Sequence, residues 1–145
     1  MDIMINKFWE VCGQSDSLYN RWANKHNINN VRLFVLYILD RNESFTQKTI
    51  SLYTGLAKQT VSSVIQTLKK ENIIILLPSI TSDKREKLVV LTDNGKDYCK
   101  ELLTPLYEIE EKTFELMGED RVKQMVDSIN LFNTILDKEM RKNEK

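Results

Sequence analysis

Gly55-Leu56-Ala57-Lys58-Gln59-Thr60-Val61-Ser62-Ser63-Val64-Ile65-Gln66-Thr67-Leu68 is the stretch whose reading decides the fold. Steps of three and four put Val61, Val64, Ile65 and Leu68 on one side of a 3.6-residue spiral and Gln59, Thr60, Ser63, Gln66 and Thr67 on the other. The spacing predicts a helix from about Lys58 to Glu71, buried along the first set and showing hydroxyls and amides along the second. Gly55, free to take positive φ, supplies a turn before it, and Thr46 caps a short helix to about Tyr53 with Ile50 turned inward. Downstream, Asn72 suits a left-handed capping position, and Ile73–Leu77 and Lys87–Leu91 are β-rich. Pro78 points to an edge strand, and Thr81-Ser82-Asp83-Lys84 has turn chemistry. Two short helices, a polar-faced helix and a hairpin with Lys84 and Arg85 at its tip form a winged helix-turn-helix. Such a helix suits the major groove of DNA, and a basic finger beside it suits phosphates and the narrower groove.

The flanks are helical. Ile5, Phe8, Trp9, Cys12, Tyr19, Trp22 and Ala23 recur at helical steps, predicting a helix over about 3–25 that Gly13 and Ser15-Asp16-Ser17 could bend or break. Val31–Leu39 is nearly all apolar; a buried strand fits it too, but with its flanks it reaches a length that favours a central buried helix, capped by Asn29 or Asn30. Asp40 to Ser44 reads as a polar connector. Thr92 caps a long helix containing Pro105, where a kink is expected. A last helix follows Gly118, with Val122, Met125, Val126, Ile129, Phe132, Leu136 and Met140 along one stripe and a charged tail expected to fray after Arg141. The fold class is therefore mainly α with a small β-hairpin wing. The chain, 145 residues long, is expected to be a single domain over 1–145, with a reading region at 28–95 and helical regions at 1–27 and 96–145.

Charge supports this division although the formal net charge is zero. Residues 46–91 carry seven Lys/Arg against three Asp/Glu, whereas 92–145 carry nine against thirteen, so a basic surface can sit on a neutral protein. The two cysteines, Cys12 and Cys99, are too few for a disulfide framework and form no metal-binding pair. No signal peptide and no apolar run of membrane-spanning length is visible, so a cytoplasmic setting is expected. His26 is the single histidine, and no phosphate loop or nucleophile motif stands out, so no metal, cofactor or enzymatic activity is expected.

The residues from Thr46 to Gly95 resemble the MarR family of bacterial winged-helix regulators. The resemblance rests on Thr46-Gln47-Lys48, on Gly55 to Ser62, and above all on Asp83-Lys84-Arg85 followed by Leu91-Thr92-Asp93-Asn94-Gly95. Two residues depart from the family pattern: Ala57 stands where Ser is usual, removing a cap, and Asn72 stands for Gly. The resemblance implies a homodimer interlocked through the first and last two helices, which the apolar stripes with Trp9, Trp22, Phe114 and Phe132 support independently. It implies two reading helices in successive major grooves of double-stranded DNA and a pseudo-palindromic operator. Lys58, Gln59, Thr60, Ser62, Ser63 and Gln66 are the candidates there; Gln can hold adenine bidentately, so AT-containing half-sites are expected. Arg85 is the candidate for the minor groove, oriented by Asp83, with Lys84 and Lys87 at phosphates. The family also implies a small aromatic or anionic effector, for which Trp9, Trp22, Phe34 and Tyr37 are candidates, though such aromatics are as readily core. Cys12 has no obvious basic neighbour to make it a redox sensor. The expected function is transcriptional repression; the competing reading is a winged helix that binds protein and has lost DNA.

Overall fold

The computed structural model describes residues 1–42, 44–79 and 86–144. The chain divides into two compact units, 1–103 and 104–145. The first holds α1 (Asp2–Lys25), α2 (Asn30–Arg41), β1 (Phe45–Thr46), α3 (Gln47–Thr54), α4 (Lys58–Lys70), β2 (Ile74–Pro78), β3 (Lys87–Leu91) and the start of α5 (Asp93–Met117). The second holds the rest of α5 and α6 (Glu119–Asn143).

In the first unit the core gathers around α2, whose Leu33, Val35, Leu36 and Leu39 are buried with Ile50 of α3, Val61, Ile65 and Leu68 of α4, and Val89 of β3. The all-round apolar character of α2 is thus the mark of a central helix, as expected. Asn29 starts it, accepting a hydrogen bond from the Arg32 amide at 2.8 Å. Val64 is half-buried rather than core, the first correction to the periodic reading of α4. The second is in the sheet. It has three antiparallel strands in the order β1-β3-β2, because Phe45 and Thr46 pair with Val89 and Leu88. The polar connector expected before Thr46 therefore runs into a short strand. β2 begins at Ile74 and pairs Pro78 with Lys87, at the sheet edge where a residue without an amide proton belongs.

Helix ends follow the capping rules closely. α1 and α4 both finish in a left-handed asparagine, Asn27 at φ 57° and Asn72 at φ 58°. In each the next residue's amide reaches back to the carbonyl five residues earlier, Ile28 to Ala23 at 3.1 Å and Ile73 to Leu68 at 2.9 Å. That pairing is the Schellman closure, here made with Asn in place of the more usual Gly. α1 runs unbroken through Gly13, and of its expected apolar face only Ala23 is buried. Ile5, Phe8, Trp9 and Cys12 are exposed. α6 continues past Arg141 to Asn143 and has no buried residue at all.

Candidate nucleic-acid interface

α3 and α4 are joined by a tight turn built from local chemistry. Thr46 Oγ1 accepts from the Thr49 amide at 3.1 Å and begins α3. Gly55 ends it at φ 68°, a conformation that a side chain would strain. The Ser51 hydroxyl donates to the Leu56 carbonyl, and the Thr54 hydroxyl accepts from the Leu56 amide at 3.2 Å, holding the turn rigid. Ala57 then occupies the N-cap of α4 in extended geometry, φ −60° and ψ 143°, with no side-chain hydrogen bond.

On α4 the partition read from spacing is physical. Val61, Ile65 and Leu68 are fully buried, while Lys58, Gln59, Ser63 and Gln66 are exposed and Thr60 and Ser62 half-buried. The outer face carries no charge between Lys58 and Lys69. It offers paired donors and acceptors flanked by cations, which suits base edges between phosphates. The Thr67 hydroxyl is turned away from such use, donating to the Ser63 carbonyl at 3.1 Å. Lys87 is exposed at the start of β3, in a hairpin whose last described rung is the Ser79 amide to the Glu86 carbonyl at 3.4 Å. Asp83, Lys84 and Arg85, expected at its tip, lie outside the described residues.

The far end of α4 is tied to α5 by a dense set of bonds. Thr92 donates its amide to the Ile73 carbonyl at 3.0 Å and its hydroxyl to the Asn72 carbonyl at 2.7 Å, and accepts from the Gly95 amide at 2.9 Å. Gly95 lies so close to this turn that a Cβ would stand 1.9 Å from the Ile73 carbonyl oxygen. This contact gives the Leu-Thr-x-x-Gly motif its physical reason: the hydroxyl caps α5 while clasping the end of α4, and only glycine fits beneath.

Arg32 is a feature that periodicity did not single out. From the first turn of α2 its Nη2 donates to Glu71 Oε2 at 2.6 Å and to the Tyr98 hydroxyl at 3.3 Å, with the guanidinium carbon 5.5 Å from the Tyr98 ring centre. Burial works against its charge, yet the bonds to Glu71 and Tyr98 outweigh it and hold the pKa above the ordinary value. An arginine placed directly before the apolar run Leu33–Leu39 was the available signal.

The four aromatic candidates for an effector site each have their own neighbour. Trp9 is 70% exposed and edge-on to Phe8, Trp22 stacks on His26 at 3.8 Å, Phe34 meets Tyr19 at 6.3 Å, and Tyr37 lies under Arg41 at 4.9 Å. Cys12 is exposed, and Cys99 is buried with its thiol pushed up to about 12, by desolvation first and by Asp40 second. Among the described residues no three His, Cys, Asp or Glu side chains gather as metal ligands, and no helix is long and apolar enough to cross a membrane.

Comparison with known proteins places this geometry. Residues 26–86 match the model of the MarR family. Over the whole chain the fold is similar to NMB1585, a MarR family regulator from Neisseria meningitidis, at 26% identity and TM-score 0.86, covering 97% of this chain and 98% of that one. It is also similar to Staphylococcus aureus MepR, solved as a DNA complex, at 19% identity and TM-score 0.70, with 90% and 96% covered. Staphylococcus aureus MarR, solved with salicylate and kanamycin, matches at 18% identity and TM-score 0.70, with 95% and 93% covered. A search of curated proteins finds no significant match. Residues 26–86, which hold the turn and the polar-faced helix, are thus similar to the MarR family, and the fold of the chain resembles that of MarR family regulators.

Proposed function

We propose that the protein is a sequence-specific transcriptional repressor that binds a pseudo-palindromic operator as a homodimer and is released by a small aromatic or anionic effector. The observation that carries the DNA reading is the outer face of α4, largely exposed, uncharged and rich in amides and hydroxyls, backed by the fully buried Val61, Ile65 and Leu68. In this reading 28–95 is the DNA-binding region. Gln59 and Gln66 contact adenine, Thr60, Ser62 and Ser63 give weaker base contacts, and Lys58 and Lys87 meet phosphates. Arg85 enters the minor groove, held by Asp83, with Lys84 beside it. Regions 1–27 and 96–145 form the dimer, and the exposed stripe of α6 is the surface that asks for a second copy. The DNA complex of MepR and the salicylate complex of MarR, both similar in fold, support the partner classes.

Selection of bound duplexes from a random pool tests this reading. The expected result is a two-fold consensus with half-sites about 10 base pairs apart and affinity that falls steeply with salt. Arg85→Ala should weaken binding of the selected duplex at least about tenfold, or about 1.4 kcal/mol, in an anisotropy titration; unchanged affinity removes Arg85 from the interface. A protein-binding winged helix draws its support from Leu52 and Tyr53, apolar and exposed on α3. Salt-insensitive capture of a protein, with no enriched duplex, would favour it.

A further inference from the structure

We propose that Arg32 is a positioning residue for DNA reading: through Glu71 and Tyr98 it fixes how α4 is rolled about its own axis, and so which side chains of its outer face reach the bases. The proposal rests on the DNA reading above and deepens it.

Two kinds of bond meet at the end of α4. Those from Thr92 and Asn94 take the carbonyls of Asn72 and Ile73, beyond the helix, and fix where the chain leaves it. These bonds act on the chain after α4, and along the helix its roll is set by packing of Val61, Ile65 and Leu68, contacts that carry little direction of their own. Glu71 is different, because it is the C-cap residue itself and its side chain is gripped from α2, 39 positions away in sequence. Tyr98, on α5, steadies the same guanidinium from another element. Arg32 thus joins three helices at one point, a third fixed direction that the backbone bonds do not supply.

The cost of this arrangement argues that geometry is what it supplies. The Arg32 side chain is only 16% exposed, and its Nε is buried with no hydrogen-bond partner among the described residues. Glu71 is 44% exposed, so the attraction between them is partly screened by water. Leaving a donor unpaired carries a penalty, and an apolar side chain of similar volume commonly serves stability as well as such a pair. A directional bond sets an angle that apolar contact does not.

The test uses the full-length chain, a duplex enriched from a random pool by the wild type, and a random-sequence duplex of equal length. Arg32→Met and Glu71→Gln are each expected to weaken binding to the enriched duplex about fivefold to tenfold and to leave the random duplex unchanged. The double variant should lose no more than the stronger single, and Arg32→Lys, which keeps the charge toward Glu71, should recover part of the loss. Circular dichroism establishes that each variant is folded at the assay temperature, so a purely structural role would leave the ratio of the two affinities unmoved. If Arg32→Met does not fold, Glu71→Gln and Tyr98→Phe carry the measurement. Equal losses on both duplexes, additive losses in the double variant, or no loss would overturn the proposal. A wild-type chain that enriches no duplex overturns the DNA reading itself and this proposal with it.

Discussion

Two glycines in helices make opposite predictions. Gly95 sits where a Cβ would be driven to 1.9 Å from the Ile73 carbonyl oxygen, whereas Gly13, inside α1, has nothing within 4 Å of a Cβ. Gly95→Ala should therefore cost about 3 kcal/mol or more in urea unfolding, since backbone rather than a flexible side chain must yield. Gly13→Ala should raise stability by about 0.8–1 kcal/mol through helix propensity alone. Gly95 was legible as part of a motif, but its reason was not, because the contact is made with a residue more than twenty positions away. Cys99 gives a pH signature. Its thiol, raised from 9.0 to about 12 by burial and then by Asp40, keeps its proton in the folded chain while the unfolded chain loses it. The stability it contributes is whole below pH 9 and falls between pH 9 and 12, by about 1.4 kcal/mol per unit for this one group. Alkaline unfolding of Cys99→Ala should show a shallower slope. A thiol reagent should label Cys12 alone in the native chain and both cysteines once it is unfolded.

At the scale of elements, what was legible was whatever repeats within a few residues. The apolar run Val31–Leu39 became α2, the alternating faces of α4 stand as read apart from Val64, and Gly55 takes the positive φ assigned to it. β1 was not legible, because two residues are too few to show alternation and the strand exists only through β3. The ion pair of Arg32 with Glu71 was hidden for the same reason: its partners are distant in sequence and share no local pattern. The start of α4 offers a direct check on capping. Ala57 already has the extended backbone of an N-cap but contributes no bond, so Ala57→Ser should add about 1 kcal/mol, measured as a higher denaturation midpoint with an unchanged slope. A loss of stability there would mean that the serine hydroxyl cannot reach the first-turn amides.

For the molecule as a whole, the telling element is α6, 25 residues long and without one buried side chain. Ile129, 51% exposed, and Phe132, 42% exposed, lie on its apolar stripe. Under the proposed dimer, Ile129→Glu or Phe132→Asp should turn a dimeric sedimentation profile into a monomeric one, while a dimeric variant would send the interface elsewhere. The tail's stripe was plain in the sequence; that none of its side chains is buried was not, since periodicity marks an apolar face without naming what meets it. The consequence is one of mass action. Under the proposed dimer, a helix whose apolar stripe is buried by a second copy draws stability from the concentration of that copy, so dilution should loosen the tail while the core around α2 stays folded. Far-ultraviolet ellipticity should then fall as the protein is diluted at constant temperature. The abundance of the chain in a cell would itself become a control on the pool of competent repressor, independent of any effector.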